Sequence, residues 1–237
     1  MANFVFMDGG ADPVGRASDG YSPLHFAAGS STPANIQVLL AARTDIKART
    51  KDGKTALHSG AVSGITVNIQ AHLEAGADVM ARDEYGKTPL FLSALVSPSP
   101  ENFRILLDAG ADVIAKDNDG STVLHHVDSL ETLTVLLAAG ADVMERNKDG
   151  ATPIHRLSNC CTPAVTQALI DAGAELTARD KDGFTPLHYA VGPCVYCNRN
   201  SIQVLLDAGA DAKAKDANGK TPWDLARENK KLKGTKG

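Results

Sequence analysis

The chain has 237 residues, a formal net charge of −4 and a sequence pI near 6.0. This charge balance gives no general attraction to nucleic acid or to an anionic membrane, so neither is predicted as a partner. No apolar run approaches the roughly 20 residues that span a bilayer, and the first residues lack the basic start and long apolar stretch of a signal peptide. We therefore expect a cytoplasmic protein without a membrane-inserted segment.

A short phrase recurs along the chain at a nearly fixed interval. It consists of Ser or Thr, then Pro, Ala or Val, then Leu, Ile or Trp, and usually ends in His. Its copies begin at Ser22, Thr55, Thr88, Thr122, Thr152, Thr185 and Thr221. Each copy follows a glycine by two residues, and these glycines are 33, 33, 34, 30, 33 and 36 residues apart. Because Ser and Thr cap helix N-termini and proline suits the first turn, each phrase predicts a helix start.

A second phrase, Ala-Gly-Ala followed by Asp or Glu, keeps step with the first. Its copies begin at Ala75, Ala109, Ala139, Ala172 and Ala208, with a degenerate copy at Ala42. Each copy follows an apolar stretch with helical spacing, and its glycine suits the left-handed position that ends a helix. The residues that follow lead to Asp-Gly or a similar pair, which is typical of a turn. One repeat therefore reads as helix, turn, helix and hairpin-like loop.

These two phrases in register resemble the ankyrin repeat, over essentially residues 4 to 229. The resemblance implies an all-α repeat solenoid, elongated and curved, in which each unit contacts its neighbours. The predicted units are a partial repeat at 1–16, six repeats at 17–49, 50–82, 83–116, 117–146, 147–179 and 180–215, a capping half-repeat at 216–229 and a basic tail at 230–237. Since the chain starts inside a repeat, a segment of a longer protein is favoured slightly over a partial N-terminal cap.

Five phrases end in histidine, at His25, His58, His125, His155 and His188. Equivalent side chains in adjacent repeats lie about one helix-packing distance apart, roughly 8 to 10 Å, which is too far to share a metal with bonds of about 2.1 Å. The resemblance implies that these histidines tie the helix start to loop backbone. Two positions depart from the pattern: His72 replaces a core leucine and should weaken its repeat, and Arg43 replaces the glycine that ends a helix.

The four cysteines, Cys160, Cys161, Cys194 and Cys197, lie in two neighbouring repeats. Cys161 and Cys194 share the same offset from the phrase glycine, in the turn between the two helices, and these turns should be adjacent. Four converging thiolates would suit a structural zinc ion, although the Cys-Cys spacing is weaker evidence than a second Cys-x-x-Cys. Four free thiols and a disulfide are the alternatives, the first being favoured in a reducing compartment.

No catalytic motif stands out in the sequence. It lacks a phosphate-binding glycine loop, His-Glu-x-x-His and a paired acidic motif, and nothing supplies the third group that a Cys-His pair near His155 would need. We therefore predict that the chain is not an enzyme and needs no cofactor apart from the zinc considered above.

The resemblance implies a protein-binding module that contacts its partner, another protein, through the hairpin tips and first helices. The predicted contact residues are Tyr21, Lys51, Lys54, Tyr85, Lys87, Asn118, Lys148, Lys181 and Phe184. The three aromatic residues among them are the expected anchors, since exposed aromatic side chains dominate interface energies. The lysines favour an acidic or mixed-charge partner, and the chain itself is expected to be monomeric.

Two alternatives to a free-standing binding module remain open from the sequence. The chain could be the regulatory or targeting segment of a larger protein or of a secreted effector, which the start inside a repeat favours. It could also bind a small ligand in its groove, which the basic tips permit weakly.

Overall fold

The computed structural model describes residues 12–30, 32–96, 98–160, 162–192 and 199–228, without the side chains of residues 160, 199 and 200. Within these ranges the regular structure is helical, and no strand is present. The helices are α1 (Pro23–Ala28), α2 (Ala34–Ala41), α3 (Ala56–Ser63), α4 (Thr66–Glu74), α5 (Pro89–Val96), α6 (Pro100–Asp108), a 3-10 helix (Val123–His126), α7 (Leu130–Ala138), α8 (Pro153–Cys160), α9 (Pro163–Asp171), α10 (Pro186–Ala190), α11 (Arg199–Asp207) and α12 (Pro222–Glu228).

The helices form two parallel layers. The first helix of each pair packs on the first helix of the next pair, in the order α1, α3, α5, the 3-10 helix, α8, α10 and α12. The second helices form the other layer, in the order α2, α4, α6, α7, α9 and α11. Each pair thus contacts its neighbours, as in a repeat solenoid. The predicted all-α solenoid is confirmed.

The buried core is in two parts. A large cluster extends from Leu57 in α3 to Ala210, and a small one groups five buried residues, Leu24, Ala27, Ile36, Leu39 and Ala56. The two clusters come together at α4, where Ala71 packs on the small cluster and Leu73 on the large one. His72, between these two residues, is fully buried, and so is Asn68 one turn earlier. Polar side chains therefore occupy the boundary between the clusters.

His72 is only half satisfied by hydrogen bonds. Its Nδ1 lies 2.7 Å from the carbonyl oxygen of Asn68, whereas its Nε2 forms no well-aligned hydrogen bond with a described residue. The Leu24 backbone lies close enough to offset part of the effect of burial on the His72 pKa. Burial lowers the pKa of His72 and so favours the neutral ring. A buried nitrogen without a partner costs about 1 to 3 kcal/mol, which supports the expectation that His72 weakens its repeat.

The phrase histidines cap the first helices and join adjacent repeats. In the second repeat, His58 Nδ1 lies 3.0 Å from the Thr55 amide nitrogen, and His58 Nε2 lies 3.1 Å from the Lys87 carbonyl oxygen of the next repeat. The amide can only donate, so Nδ1 accepts and Nε2 carries the proton that it donates to Lys87. The same arrangement recurs at His25, His125, His155 and His188. The predicted role of these residues is confirmed.

The hairpin tips, which are the residues around each Asp-Gly or equivalent pair, are joined by backbone hydrogen bonds. The backbone N–H of Asn118 donates to the backbone carbonyl of Tyr85 at 2.8 Å. Equivalent backbone bonds join each of the other neighbouring tips, the first at Asp19 and the last at Ala217. Close approach requires glycine here: at Gly86, where φ is 76°, a Cβ atom would lie 2.9 Å from the Asn118 nitrogen. The tips are therefore held in one row along the solenoid.

Arginine side chains reinforce this row. Arg82 Nη1 donates to the carbonyl oxygen of Lys116 in the next repeat at 2.6 Å, and Arg146 Nη1 donates to that of Arg179 at 2.7 Å. In the third repeat the equivalent residue is Lys116, whose Nζ instead pairs with Glu145 at 2.5 Å. The guanidinium groups thus fix the spacing between successive hairpin loops.

Arg43 has a left-handed backbone, with φ of 59°, and is the sole non-glycine residue with positive φ in the described ranges. It ends α2 in the place where other repeats have glycine. Because a side chain is strained in this conformation, Arg43→Gly is expected to raise the free energy of unfolding by about 1 kcal/mol. Urea denaturation of the two proteins measures the difference.

The reverse substitution provides the matched control. Gly110 ends α6 with φ of 92°, and a Cβ atom added there would meet nothing within 4 Å. Gly110→Arg should therefore lower the free energy of unfolding by a similar amount, about 1 kcal/mol, through backbone strain alone. An Arg43→Gly variant no more stable than the original chain would contradict this account.

The two ends of the chain lie partly outside the described residues. The partial repeat predicted at 1–16 is described only from residue 12, and the basic tail predicted at 230–237 is not described. In α12, Asp224 replaces the phrase histidine, and its Oδ2 accepts the Thr221 amide hydrogen bond at 2.9 Å. The repeat boundaries stay predictions. Across the part of the chain that the structure describes, no helix has the length and apolar character needed to cross a bilayer.

Candidate functional site

The inner face consists of the first-helix layer and the adjacent hairpin tips. Two positions of each repeat lie where the tip meets the first helix: the residue before the Ser or Thr of the phrase, and the residue after the phrase. The first set is Tyr21, Lys54, Lys87, Ser121, Ala151, Phe184 and Lys220, and the second set is Phe26, Ser59, Leu92, His126, Arg156, Tyr189 and Leu225. Ser121, Ala151 and Leu92 at these positions are buried. Of these two sets, the sequence analysis named only members of the first, beside the tip residues Lys51, Tyr85, Asn118, Lys148 and Lys181. The strong variation of the second position beside an otherwise regular phrase could have identified the rest.

An aromatic pair marks the first repeat. The ring centroids of Tyr21 and Phe26 are 5.5 Å apart, and Tyr21 also lies 5.4 Å from the ring of His25. Tyr21, predicted to be an exposed anchor, is in fact half-buried, because its ring packs on these two neighbours. Phe26 remains 46% exposed. The first repeat thus presents a supported aromatic surface.

The third repeat carries a different aromatic group. Phe91 replaces the phrase histidine and is buried, and the Lys87 Nζ lies 5.4 Å from its ring centroid and 5.8 Å from that of Tyr85. These distances are those of cation–π contacts. Tyr85 itself is 54% exposed, as expected of an anchor. On its other side Phe91 contacts the ring of His126 at 5.0 Å.

His126 is held as a neutral ring in this surface. Burial lowers its pKa to about 3, and the nearby positive charge of Arg156 acts in the same direction. The inner face therefore carries no histidine charge at this point near neutral pH.

The sixth repeat holds the most extensive aromatic group among the described side chains. Phe184 and Tyr189 meet edge to face, with centroids 6.2 Å apart and planes at 84°, and Tyr189 also contacts His155 at 5.4 Å. The Tyr189 hydroxyl donates to Asp180 Oδ2 at 2.8 Å. Burial and the Asp180 carboxylate both raise the pKa of Tyr189, so the phenol keeps its proton. The two rings therefore form a fixed corner.

A groove runs along this end of the inner face. One cavity of about 530 Å³ lies between α10, its hairpin tip and α12, where Phe184, Tyr189 and Leu225 line it. A second cavity of about 270 Å³ is lined by His126, Arg156 and residues around them. Both cavities share Asn159 and Tyr189, so they are parts of one groove that extends from the fourth repeat to α12.

Comparison with known proteins agrees with this architecture. Residues 126–216 match the model of ankyrin repeats, in three copies. The crystal structure of the ankyrin repeat domain of Bcl-3, a member of the IkappaB protein family, is similar, with a TM-score of 0.69 and 28% identity over 89% of this chain and 96% of that one. Residues 126–216 therefore match ankyrin repeats in sequence, and the fold over most of the chain is that of an ankyrin repeat domain.

The human ASB11 ankyrin repeat domain is also similar, with a TM-score of 0.78 and 26% identity over 90% of this chain and 96% of that one. No curated protein matches the chain in sequence. Ankyrin repeats are generally protein–protein interaction modules. The two solved domains thus share the ankyrin fold over most of their length, while their sequences have diverged widely from this one.

The ankyrin hairpin tips present the predicted polar residues. Lys51, Asn118, Lys148 and Lys181 are exposed, whereas Lys54 and Lys87 are half-buried. The backbone bonds between tips bring the four exposed residues into one row, next to the first-helix layer. Phe184, the third predicted anchor, is half-buried in the aromatic corner.

The predicted zinc site lies outside the described residues. Cys161, Cys194 and Cys197 are not described, and Cys160 is described only as the last residue of α8, without its side chain. Among the side chains that are described, no group of three or more His, Cys, Asp and Glu could hold a metal ion. Structural zinc at the four cysteines stays a prediction.

Proposed function

We propose that this ankyrin solenoid is a non-catalytic protein–protein interaction module that binds a protein partner on its inner face. The observation that carries the proposal is the Tyr85–Lys87 pair, which holds an aromatic ring 54% exposed in the middle of that face. Exposed aromatic side chains with fixed positions are the residues that dominate interface energies. The aromatic pairs of the first and sixth repeats extend the same surface toward both ends.

A pair of matched double variants tests this proposal. Tyr85→Ala with Lys87→Ala removes the central side chains but leaves the Lys87 carbonyl that accepts from His58. Val38→Ala with Val67→Ala removes side chains of comparable exposure, 47% and 51%, from α2 and α4 in the outer layer. Both variants should remain folded, since neither loses a fully buried side chain.

Affinity capture from native lysate compares the three proteins. Partners that the original chain and the outer-layer variant retain should be lost from the Tyr85→Ala, Lys87→Ala variant. A photo-crosslinking residue at position 85 should then form adducts with the same partners, and one at position 67 should not. Retention of all partners by the inner-face variant, or adducts from position 67 alone, would show that the binding surface lies elsewhere.

A further inference from the structure

We infer that the cavity between the sixth repeat and α12 binds a basic side chain, arginine or lysine, of the protein partner. This inference rests on the proposed function, because it assigns a chemistry to one part of the inner face. The cavity measures about 530 Å³, which is ample for one long side chain, and it opens into the rest of the groove through Asn159 and Tyr189. A partner segment in the groove can thus place a single residue there.

The walls of the cavity suit a cation. Phe184 and Tyr189 meet at 84°, so the cavity is bounded by two aromatic rings in different orientations. An ammonium or guanidinium group near the face of such a ring is attracted by its quadrupole. The Tyr189 ring is fixed by its bond to Asp180 and by the edge contact with His155, so little order is lost when a ligand binds.

Three carboxylates lie at the cavity, and the nearby cations are Arg156, beside Tyr189, and Lys220. Asp182 and Glu228 line the cavity, and the carboxylate of Asp180 lies behind Tyr189. Glu228 is already paired with Lys220, whose Nζ lies 2.8 Å from Glu228 Oε1. Asp182 is exposed, and within the described residues its carboxylate makes no ion pair. One carboxylate therefore remains available to a ligand, next to the two aromatic rings.

The other aromatic groups of the inner face do not share this chemistry. At the third repeat the protein's own Lys87 already occupies the position between Tyr85 and Phe91. Among the described residues, no cation lies over the ring of Phe184 or Tyr189 in the same way, and the nearby Lys220 pairs with Glu228 instead. We therefore assign the cation at this cavity to the partner.

Titration of the full chain with short peptides tests the inference. The probes are acetylated, amidated peptides of alternating glycine with arginine, lysine or glutamate, and the readout is the set of backbone amide resonances in NMR. The arginine peptide should give saturable shifts at Phe184, Tyr189 and Leu225, and the lysine peptide weaker ones, since a planar guanidinium both stacks on a ring and pairs with a carboxylate. The glutamate peptide should give none.

Two isosteric variants control for the charge. Asp182→Asn removes the free carboxylate, and the sequence Asn218-Gly219 at the seventh tip shows that asparagine suits this backbone. Asp119→Asn makes the same change at the fourth tip, which does not line the cavity. The affinity for the arginine peptide should fall about threefold in Asp182→Asn, which lies within the range of exposed ion pairs, and stay unchanged in Asp119→Asn.

Several results would overturn the inference. These are equal shifts with the arginine and glutamate peptides, shifts that lie away from the cavity, equal losses in both variants, and no saturable shift up to about 10 mM peptide, a limit that corresponds to negligible affinity. None of these results would bear on the inner face as a protein-binding surface, because that proposal is tested separately by the Tyr85→Ala, Lys87→Ala variant.

Discussion

Acidification from about pH 7.5 to about pH 5 is expected to lower the free energy of unfolding by about 2 kcal/mol for each of His58 and His125. Burial lowers the pKa of both rings to about 4 in the folded protein, from an ordinary value of 6.5. The unfolded chain therefore binds protons at a higher pH than the folded one. The stabilisation is complete above pH 6.5 and is lost as the pH falls from 6.5 toward about 4.

The hydrogen bonds explain why the charged ring is excluded. His58 Nδ1 accepts from the Thr55 amide at 3.0 Å, and a proton on Nδ1 would face that N–H group. The same conflict would arise at His125, where Nδ1 lies 3.2 Å from the Thr122 nitrogen. Protonation therefore breaks the cap as well as placing a charge in a buried site, and both effects act in the same direction.

Urea denaturation at several pH values measures this effect. His58→Phe serves as the control, because it copies the replacement that the third repeat carries naturally at Phe91. Whatever the stability of the variant at a single pH, its loss of stability between about pH 7.5 and about pH 5 should be smaller by about 2 kcal/mol. Equal pH dependence in both proteins would contradict the assigned protonation states.

His155→Ala is expected to lower the free energy of unfolding by about 3 to 5 kcal/mol. His155 is fully buried. Its Nδ1 lies 3.1 Å from the Thr152 nitrogen, and its Nε2 lies 3.1 Å from the Ala178 carbonyl oxygen and 3.2 Å from that of Phe184. Alanine would leave these groups without hydrogen-bond partners and would leave a cavity beneath the ring of Tyr189. Both the lost hydrogen bonds and the cavity lower the free energy of unfolding.

Gln167→Ala in α9 of the same repeat is the matched control for this substitution. Its side chain is exposed and donates to Asp171 Oδ1 at 2.8 Å, a contact worth no more than about 0.5 kcal/mol. Both variants can be followed by circular dichroism during urea denaturation. A loss below about 1 kcal/mol in His155→Ala would mean that the histidine does not join the two repeats in the way that the distances indicate.

The predictions from the sequence match the structure most closely where a single residue determines the local backbone conformation. The two phrases predicted the helix starts and ends, and Arg43 was recognised as a misfit because every equivalent position in the later repeats is glycine. The capping role of the phrase histidines followed from the resemblance and is visible in the bonds from His58 to Thr55 and Lys87.

The candidate site could be predicted less completely, because it depends on distances between repeats. Phe184 was identified as an anchor, but its partner Tyr189 was not, since the two belong to different elements and meet only when α10 packs beside its hairpin. The groove depends in addition on α12, which supplies Leu225. Burial of Tyr21 could not be foreseen either, because it results from the rings of His25 and Phe26.

The division of the core at His72 has a consequence for how the inner face responds to a partner. The aromatic pair of Tyr21 and Phe26 stands on the small cluster, whereas the groove beside Tyr189 stands on the large one. The first repeat can therefore open while the remainder stays folded, since stability in a solenoid is a sum over units and their interfaces. A ligand that contacted both regions would have to be released before the first repeat could unfold by itself. Binding would therefore make unfolding of the chain more cooperative as well as less favourable.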